Sequence, residues 1–175
     1  MFNTIQEDFV SEDLVNHLLD VIAISKGENY LEVNNDQLCT VGGIQTKNVV
    51  PKLHPLALEE LHLKINNYIN LYYRYTLDYF KYSINHMHII DYQPGGYQRK
   101  NTHHFNEDHS FIICLNDSDG KTRFFVDDEP LDVPCVRKKI CLFSAALFHE
   151  GLKCSDRRII AVGSIRFDHK VWKTI

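Results

Sequence analysis

Histidine and acidic residues are concentrated in one short polar segment of this sequence. Residues 103–109 include three histidines, one glutamate and one aspartate. A further histidine, His149, stands alone after an apolar run. Two histidines and one carboxylate on one face are the ligands of non-haem iron(II) sites, which leave coordination positions open. The pattern suggests a metal site made by a histidine–acid pair and a distant histidine.

Arg158 is the second residue whose position suggests a functional role. It begins the apolar run 158–162, which has the composition of a strand. An arginine that points inward from a strand is an unpaired buried charge unless an anion meets it. A dicarboxylic cosubstrate could provide that anion through a bidentate guanidinium–carboxylate pair. Arg157 alternates to the opposite face, where we expect it to be solvated.

Length and composition favour one soluble domain that spans residues 1–175. The net charge of −4 gives no general reason to expect nucleic acid as a partner. No run approaches the ~20 apolar residues that cross a bilayer, so we expect no membrane partner. Five cysteines without paired spacing are typical of a reducing compartment. We therefore expect a soluble, intracellular protein of the cytoplasm.

Two amphipathic helices are predicted before the polar segment. The first follows Ser11, a good N-cap that precedes two acidic residues, and ends near residues 26–27. The second covers residues 56–81, where apolar and tyrosine side chains recur every three or four positions. Residues 28–54 predict short strands or loops, with one strand around residues 38–41. The helices should support a β-core by packing on one of its faces.

From residue 86 the apolar period changes to two, which is typical of strands. Pro94-Gly95-Gly96 predicts a turn. Further strands are predicted near 98–104, 109–115, 121–126, 131–135, 138–143 and 157–167. This spacing suits an antiparallel sandwich or a small barrel. The fold class is therefore α+β and mostly β, with helical support over about 1–85 and the β-core over about 86–170.

Residues 88–168 resemble the double-stranded β-helix of the 2-oxoglutarate- and iron(II)-dependent oxygenases, in the prolyl-4-hydroxylase-like branch with its small phage-type members. The hairpin at residues 115–124, Leu-Asn-Asp-Ser-Asp-Gly-Lys-Thr-Arg-Phe, is similar to that family's hairpin. His149 and Arg158 have the family's usual separation. The resemblance implies a jelly-roll, cupin-like core, with His149 as a metal ligand and Arg158 as the anchor of 2-oxoglutarate. Tyr92 or Tyr97 would donate a hydroxyl to the cosubstrate.

The first metal motif departs from the family's pattern. That motif is His-x-Asp or His-x-Glu, but Phe105 follows His103 by two positions and Asn106 follows His104 by two. An acid a few residues later, followed by Ser-Phe-Ile-Ile, is similar to the small phage-type relatives. This favours one ligand set over its alternates: the set is His103, Asp108 and His149, and the alternates are His104 and Glu107.

The resemblance implies an iron(II)- and 2-oxoglutarate-dependent dioxygenase. It would hydroxylate a C–H bond of a peptide, amino acid or small metabolite, with ascorbate as an optional reductant. Two other interpretations stay open. A non-catalytic β-barrel binding module could keep the pocket for an acidic small molecule without the metal. A cupin-type oxygenase could use three histidines, including His109, and no oxoglutarate.

Overall fold

The computed structural model describes residues 5–25, 30–33, 39–72, 81–103 and 107–168. Within these ranges the helices are α1 (Glu12–Ser25) and α2 (Pro55–Tyr72), with one 3-10 turn at Val50–Lys52. The strands are β1 (Ile5–Phe9), β2 (Tyr30–Val33), β3 (Thr40–Thr46), β4 (Tyr82–Asn101), β5 (His109–Cys114), β6 (Ser118–Val126), β7 (Glu129–Cys135), β8 (Lys139–Ser144), β9 (His149–Gly151) and β10 (Arg158–Phe167).

Local signals in the sequence explain both helices. The Ser11 hydroxyl accepts a hydrogen bond from the N–H of Leu14 at 3.1 Å, which confirms Ser11 as the N-cap of α1. Pro55 occupies the first position of α2, where its missing N–H costs nothing. The part of the second predicted helix from residue 73 to 80 lies outside the described residues. Among the described helices, none is long and apolar enough to cross a membrane.

The strands form one curled antiparallel sheet in the order β1-β8-β5-β10-β4-β9-β6-β7, with β3 paired to β4 and β2. Strand β4 links two halves of the sheet. The first half contains β1, β8, β5 and β10, and the second contains β9, β6 and β7. Its first part pairs with β10, from Tyr82–Phe167 to Tyr92–Arg158, and its end pairs with β9. This is the predicted double-stranded β-helix, so the α+β, mostly β fold class is confirmed.

The predicted turn at residues 94–96 was wrong, because β4 continues through it. Pairing with β3 spans the segment, with Val41 opposite Tyr97 and Gly43 opposite Tyr92. Gly42 and Gly95 take positive φ values of 68° and 86°. Other residues rarely adopt a positive φ, so glycine at these positions allows the register shift between Val41 and Gly43. One bent strand therefore replaces two strands and a turn.

Two apolar layers lie on opposite faces of the first half of the sheet. One layer packs the sheet against α1 and α2 and includes Phe111 and Ile113. The other fills the space between the two halves of the sheet and includes Ile112 and Cys114. Strand β5 has no solvent-exposed face, which explains its unbroken apolar sequence. The cysteines are free, and four of them are buried.

Candidate metal centre and cosubstrate pocket

A cavity of about 250 Å³ lies between the two halves of the sheet. Three of the residues that the sequence nominated for a metal line it: His103, Glu107 and His149. His103 follows the end of β4 and His149 begins β9, and these strands are neighbours through the pair Asn101–His149. Sheet pairing thus brings together residues that are far apart in the sequence.

The two histidine rings stack with their centroids 5.3 Å apart and their planes at 29°. His103 Nδ1 lies 4.0 Å from Glu107 Oε1. His149 Nδ1 is 3.1 Å from the carbonyl oxygen of Leu147, to which it can donate. Such a hydrogen bond leaves Nε2 unprotonated and available to a metal.

Burial shifts the ionisation of all three side chains. It lowers the pKa of His149 to about 4 and also lowers the pKa of His103, so both imidazoles are neutral, as metal ligands must be. Burial raises the pKa of Glu107 to about 7, against the opposing effect of hydrogen bonds with Ser110 and Ser164. A buried carboxylate of this kind is stabilised in its ionised form by a cation, which a metal would supply.

The donor set fits iron(II) by its chemistry, two imidazoles and one carboxylate. Among the described residues, no three histidine, cysteine or acidic side chains already stand at metal-binding distances. Residues 104–106, which connect His103 to Glu107, lie outside the described part of the chain and include the alternate His104. The three side chains therefore share a cavity but would have to approach one another to bind a metal.

Asp108 lies elsewhere. Its carboxylate accepts a hydrogen bond from the N–H of Phe167 at 2.7 Å, and its own N–H donates to the carbonyl of Ile165. Asp108 thereby fastens the end of β10, while Glu107 faces the cavity. The structure brings the alternate acid, Glu107, together with His103 and His149, and does not bring Asp108 there.

His109 also faces away from the cavity. Its Nδ1 lies 3.1 Å from the hydroxyl of Tyr68 on α2, and its ring meets Phe167 edge-on. Side chains alternate along β5, so His109 points to the helices while Ser110 points between the halves of the sheet. The arrangement gives a three-histidine site that includes His109 no support.

Arg158 is a deeply buried cation, only 2% exposed. Its Nη2 donates to the hydroxyl of Thr122 at 2.7 Å and its Nη1 to the carbonyl of Lys121 at 3.3 Å. Its Nε is buried without a hydrogen-bond partner, and no carboxylate of the described residues pairs with it. A dicarboxylate would satisfy both the charge and the free N–H.

Glycines make room for Arg158. A Cβ at Gly151 would lie 3.1 Å from Arg158 Nη1, and one at Gly120 would lie 2.9 Å from its Cδ. Gly151 stands two residues after His149 on β9, a separation of about 7 Å along a strand. The contact of Gly151 with Arg158 thereby places the guanidinium near the strand that carries His149.

The two candidate tyrosines occupy different environments. The Tyr92 ring lies 5.7 Å from the guanidinium of Arg158, and its buried hydroxyl, which has Thr40 as a polar neighbour, makes no close hydrogen bond among the described residues. Burial raises the pKa of Tyr92 to about 12, so the hydroxyl stays protonated and can donate. Tyr97 lies instead beneath the ammonium of Lys153 at 5.5 Å, and neither tyrosine is among the residues that line the cavity.

Sequence reasoning missed three polar neighbours of the site. Thr122 binds Arg158, and two histidines treated as structural, His86 and His88, line the cavity. The sequence contained a signal for the two histidines. In a strand, residues 86, 88 and 90 lie on one face and Met87 lies on the other, so His86 and His88 share a face with Ile90. Arg157 is 56% exposed, as expected, but its guanidinium also pairs with the buried Asp91 at 2.7 Å.

No family model and no curated protein matches the sequence. Among solved structures, the chain is similar to a prolyl-4-hydroxylase from Pseudomonas putida (18% identity, TM-score 0.71), with 94% of this chain and 92% of that one covered. It is also similar to a prolyl hydroxylase from Trichoplax adhaerens, solved with a hypoxia-inducible-factor peptide (12% identity, TM-score 0.69, 96% and 84% covered).

A third similar structure is the viral collagen prolyl hydroxylase of Paramecium bursaria Chlorella virus-1, solved with 2-oxoglutarate (17% identity, TM-score 0.64, 93% and 95% covered). The chain has the fold of the prolyl-4-hydroxylase-like 2-oxoglutarate–iron(II) oxygenases. This oxygenase fold extends over nearly the whole chain, beyond the residues 88–168 that carried the sequence resemblance. The helices and β1 to β3 are therefore part of the shared architecture.

Proposed function

We propose that the chain is an iron(II)- and 2-oxoglutarate-dependent oxygenase that hydroxylates a C–H bond of a peptide, amino acid or small metabolite. The observation that carries this proposal is the meeting of His103, Glu107 and His149 in one cavity. The oxygenase fold supports it. Free cysteines support a cytoplasmic location.

In this proposal the protein holds the metal through His103, Glu107 and His149. Iron(II) with 2-oxoglutarate supplies the oxidising chemistry that no side chain here can perform. The hydrogen bond from His149 to Leu147 fixes the orientation of that imidazole. Apolar side chains, among them Phe143, exclude water from the cavity.

Arg158 anchors the far carboxylate of the cosubstrate, and Tyr92 donates its protonated hydroxyl to the same group. Both side chains lie almost fully within the protein. Their unsatisfied polar atoms, the Nε of Arg158 and the hydroxyl of Tyr92, are therefore poised for a ligand that brings acceptors. A neutral ligand would leave the guanidinium charge uncompensated, so Arg158 favours a ligand that brings a carboxylate.

The direct test measures turnover of labelled 2-oxoglutarate by purified protein with iron(II) and ascorbate. Even without substrate, slow release of labelled succinate is expected, together with a rise in Tm when 2-oxoglutarate is added. The proposal fails if neither succinate nor a 2-oxoglutarate-dependent rise in Tm is detected.

A matched pair of neighbouring acids tests the ligand set. Glu107→Gln should abolish iron(II) binding and turnover, because it removes the only carboxylate of the three cavity ligands. Asp108→Asn should keep metal binding and lose about 1 kcal/mol or more of stability, since it weakens the hydrogen bond to Phe167. Isothermal titration with metal and urea unfolding separate the two effects. The opposite pattern would restore Asp108 as the ligand.

A second candidate is a non-catalytic binding module for an acidic small molecule. The absence of a preassembled three-ligand cluster among the described residues favours it. Iron analysis discriminates between the two functions. A His149→Ala protein that retains as much iron as the wild type would support the module.

A further inference from the structure

One side chain in the cavity wall contacts the proposed metal ligand without being a ligand in the proposed set. His86 Nε2 lies 3.3 Å from Glu107 Oε1. Its other ring nitrogen, Nδ1, lies 3.0 Å from the hydroxyl of Ser164. His86 therefore bridges the carboxylate and the sheet.

The sheet register builds this contact from three strands. His86 of β4 pairs with Ser164 of β10, which in turn pairs with Ser110 of β5. Residues that are directly opposite in neighbouring strands place their side chains on the same face. The Ser110 hydroxyl donates to Glu107 Oε2 at 3.2 Å. Within this row, His86 contacts Oε1 of the Glu107 carboxylate and Ser110 contacts Oε2.

The register of β10 against β4 shifts directly after this row, between Ser164 and Ile165. Beyond the shift, Ile165 stands opposite Ile84, so Asn85 is an extra residue on β4. Such an irregularity re-aims the side chains beside it. The register shift lies directly beside the His86–Ser164 pair that faces Glu107.

The hydrogen-bond partners of His86 determine which of its ring nitrogens carries the hydrogen. The Ser164 hydroxyl lies within reach of both His86 Nδ1 and Glu107, and when it donates to Nδ1 the hydrogen of a neutral imidazole lies on Nε2. That hydrogen faces Glu107 Oε1, which lies 3.3 Å from Nε2.

We propose that His86 is a positioning residue that holds the Glu107 carboxylate in the orientation required by the metal. This inference rests on the proposed function, because it assumes that Glu107 binds the metal. Glutamate has several rotatable bonds, so an unrestrained side chain loses conformational entropy on binding a metal. The row formed by His86, Ser164 and Ser110 removes that freedom in advance.

The test compares metal affinities by isothermal titration of cobalt(II) into metal-free protein. His86→Ala should weaken binding about 10- to 100-fold, the usual range for residues that orient a ligand. His86→Gln should stay close to wild type, since its amide N–H can replace Nε2–H. Rescue by glutamine is the result that a merely structural histidine would not give.

His88 provides the matched control. It lies two residues further along the same face, with its ring 5.0 Å from that of His86, and it lines the same cavity. Its Nδ1 is 2.8 Å from the carbonyl of Thr46. His88→Ala should leave the cobalt(II) affinity within about twofold of wild type, because no contact joins His88 to Glu107 among the described residues.

Ser164→Ala is a second variant that remains informative if His86→Ala fails to fold. It removes the hydrogen bond to Nδ1 together with the contact of Ser164 with Glu107, and should weaken cobalt(II) binding by a smaller factor, with a combined loss below the sum of the two when joined to His86→Ala. Circular dichroism verifies that each variant is folded. Additive losses from the two substitutions would contradict a shared route.

The remaining outcomes separate this inference from the proposed function. If wild type binds cobalt(II), Glu107→Gln does not, and His86→Ala binds like wild type, only the positioning role is overturned. If His86→Gln fails to rescue and the visible cobalt(II) spectrum shows a lost nitrogen ligand, His86 binds the metal directly and the positioning role is again overturned. If wild type binds no cobalt(II), both proposals fall.

Discussion

Adjacent side chains at the beginnings of two strands have opposite roles in this protein. Glu107 faces the cavity, whereas Asp108 holds the backbone N–H of Phe167. Arg158 is buried beside Tyr92, whereas Arg157 lies at the surface and pairs with Asp91. A shift of one position would therefore exchange a functional group for a structural one.

The neighbouring arginines give a matched test of the cosubstrate anchor. Arg158→Met should abolish the rise in Tm caused by 2-oxoglutarate, because the far carboxylate loses its cation. Arg157→Met should keep that response and cost about 1–3 kcal/mol of stability, since it leaves the buried Asp91 carboxylate unpaired. Thermal unfolding with and without 2-oxoglutarate measures both effects. Equal responses from the two variants would exclude Arg158 as the anchor.

His109 makes stability depend on pH. Burial lowers its pKa to about 4 in the folded protein, below the ordinary 6.5 of the unfolded chain. The folded state thus favours the neutral ring, and its stabilising contribution is present above pH 6.5 and is lost as pH falls towards 4.

From pH 7 to pH 5 the contribution of His109 should fall by about 2 kcal/mol. His109→Gln, which can still hydrogen-bond to Tyr68, should lack this part of the pH dependence. Urea unfolding of both proteins at the two pH values measures the difference. Parallel pH profiles would show that the histidine is not kept neutral by the fold.

At the scale of the elements, local patterns identified most helices and strands. The Ser11 cap, the unbroken apolar run of β5 and the polar turn between β6 and β7 depend on residues close in sequence. The path of β4 does not, because pairing with β3 overrides the turn preference of Pro94-Gly95-Gly96. Strands β1 and β9 are short and were not predicted, since each is defined by its partners in the sheet.

Gly163 shows how closely two elements approach. A Cβ at this position in β10 would lie 2.2 Å from Cζ of Phe111 in β5, a ring that is completely buried. Gly163→Ala should therefore cost about 1–3 kcal/mol through overpacking. Adding Phe111→Leu should restore part of the loss, as measured by urea unfolding. A single variant as stable as wild type would contradict the close contact.

The whole molecule is joined by strands that have an apolar layer on each face. Strands β5 and β10 contribute to the layer under the helices and also to the layer between the halves of the sheet. The metal and cosubstrate residues lie at the second layer, and α1 and α2 stabilise it indirectly through the first. This connection favours one cooperative unit formed by the described helices and strands.

A substitution at Leu61 tests whether the helices and the β-core unfold together. Leu61 is fully buried on α2, and Leu61→Ala should cost about 2–5 kcal/mol. The helices and the strands should still unfold in one transition, with the same midpoint by circular dichroism and by hydrogen exchange of β5 amides. Separate midpoints would show that the helices and the β-core are distinct units.

The sequence by itself determined the fold class, the supporting helices, and the nomination of His149 and Arg158. The fold class and the helices follow from periodicity and caps, which neighbouring residues carry, and the roles of His149 and Arg158 are those that the resemblance to the oxygenase family implies. Only the tertiary structure brought Glu107 to the cavity in place of Asp108 and placed His86 beside it. His86 and Ser164 are 78 positions apart, and the register of two strands makes them partners. That register depends on pairing along the entire sheet, so no local pattern of residues could have specified it.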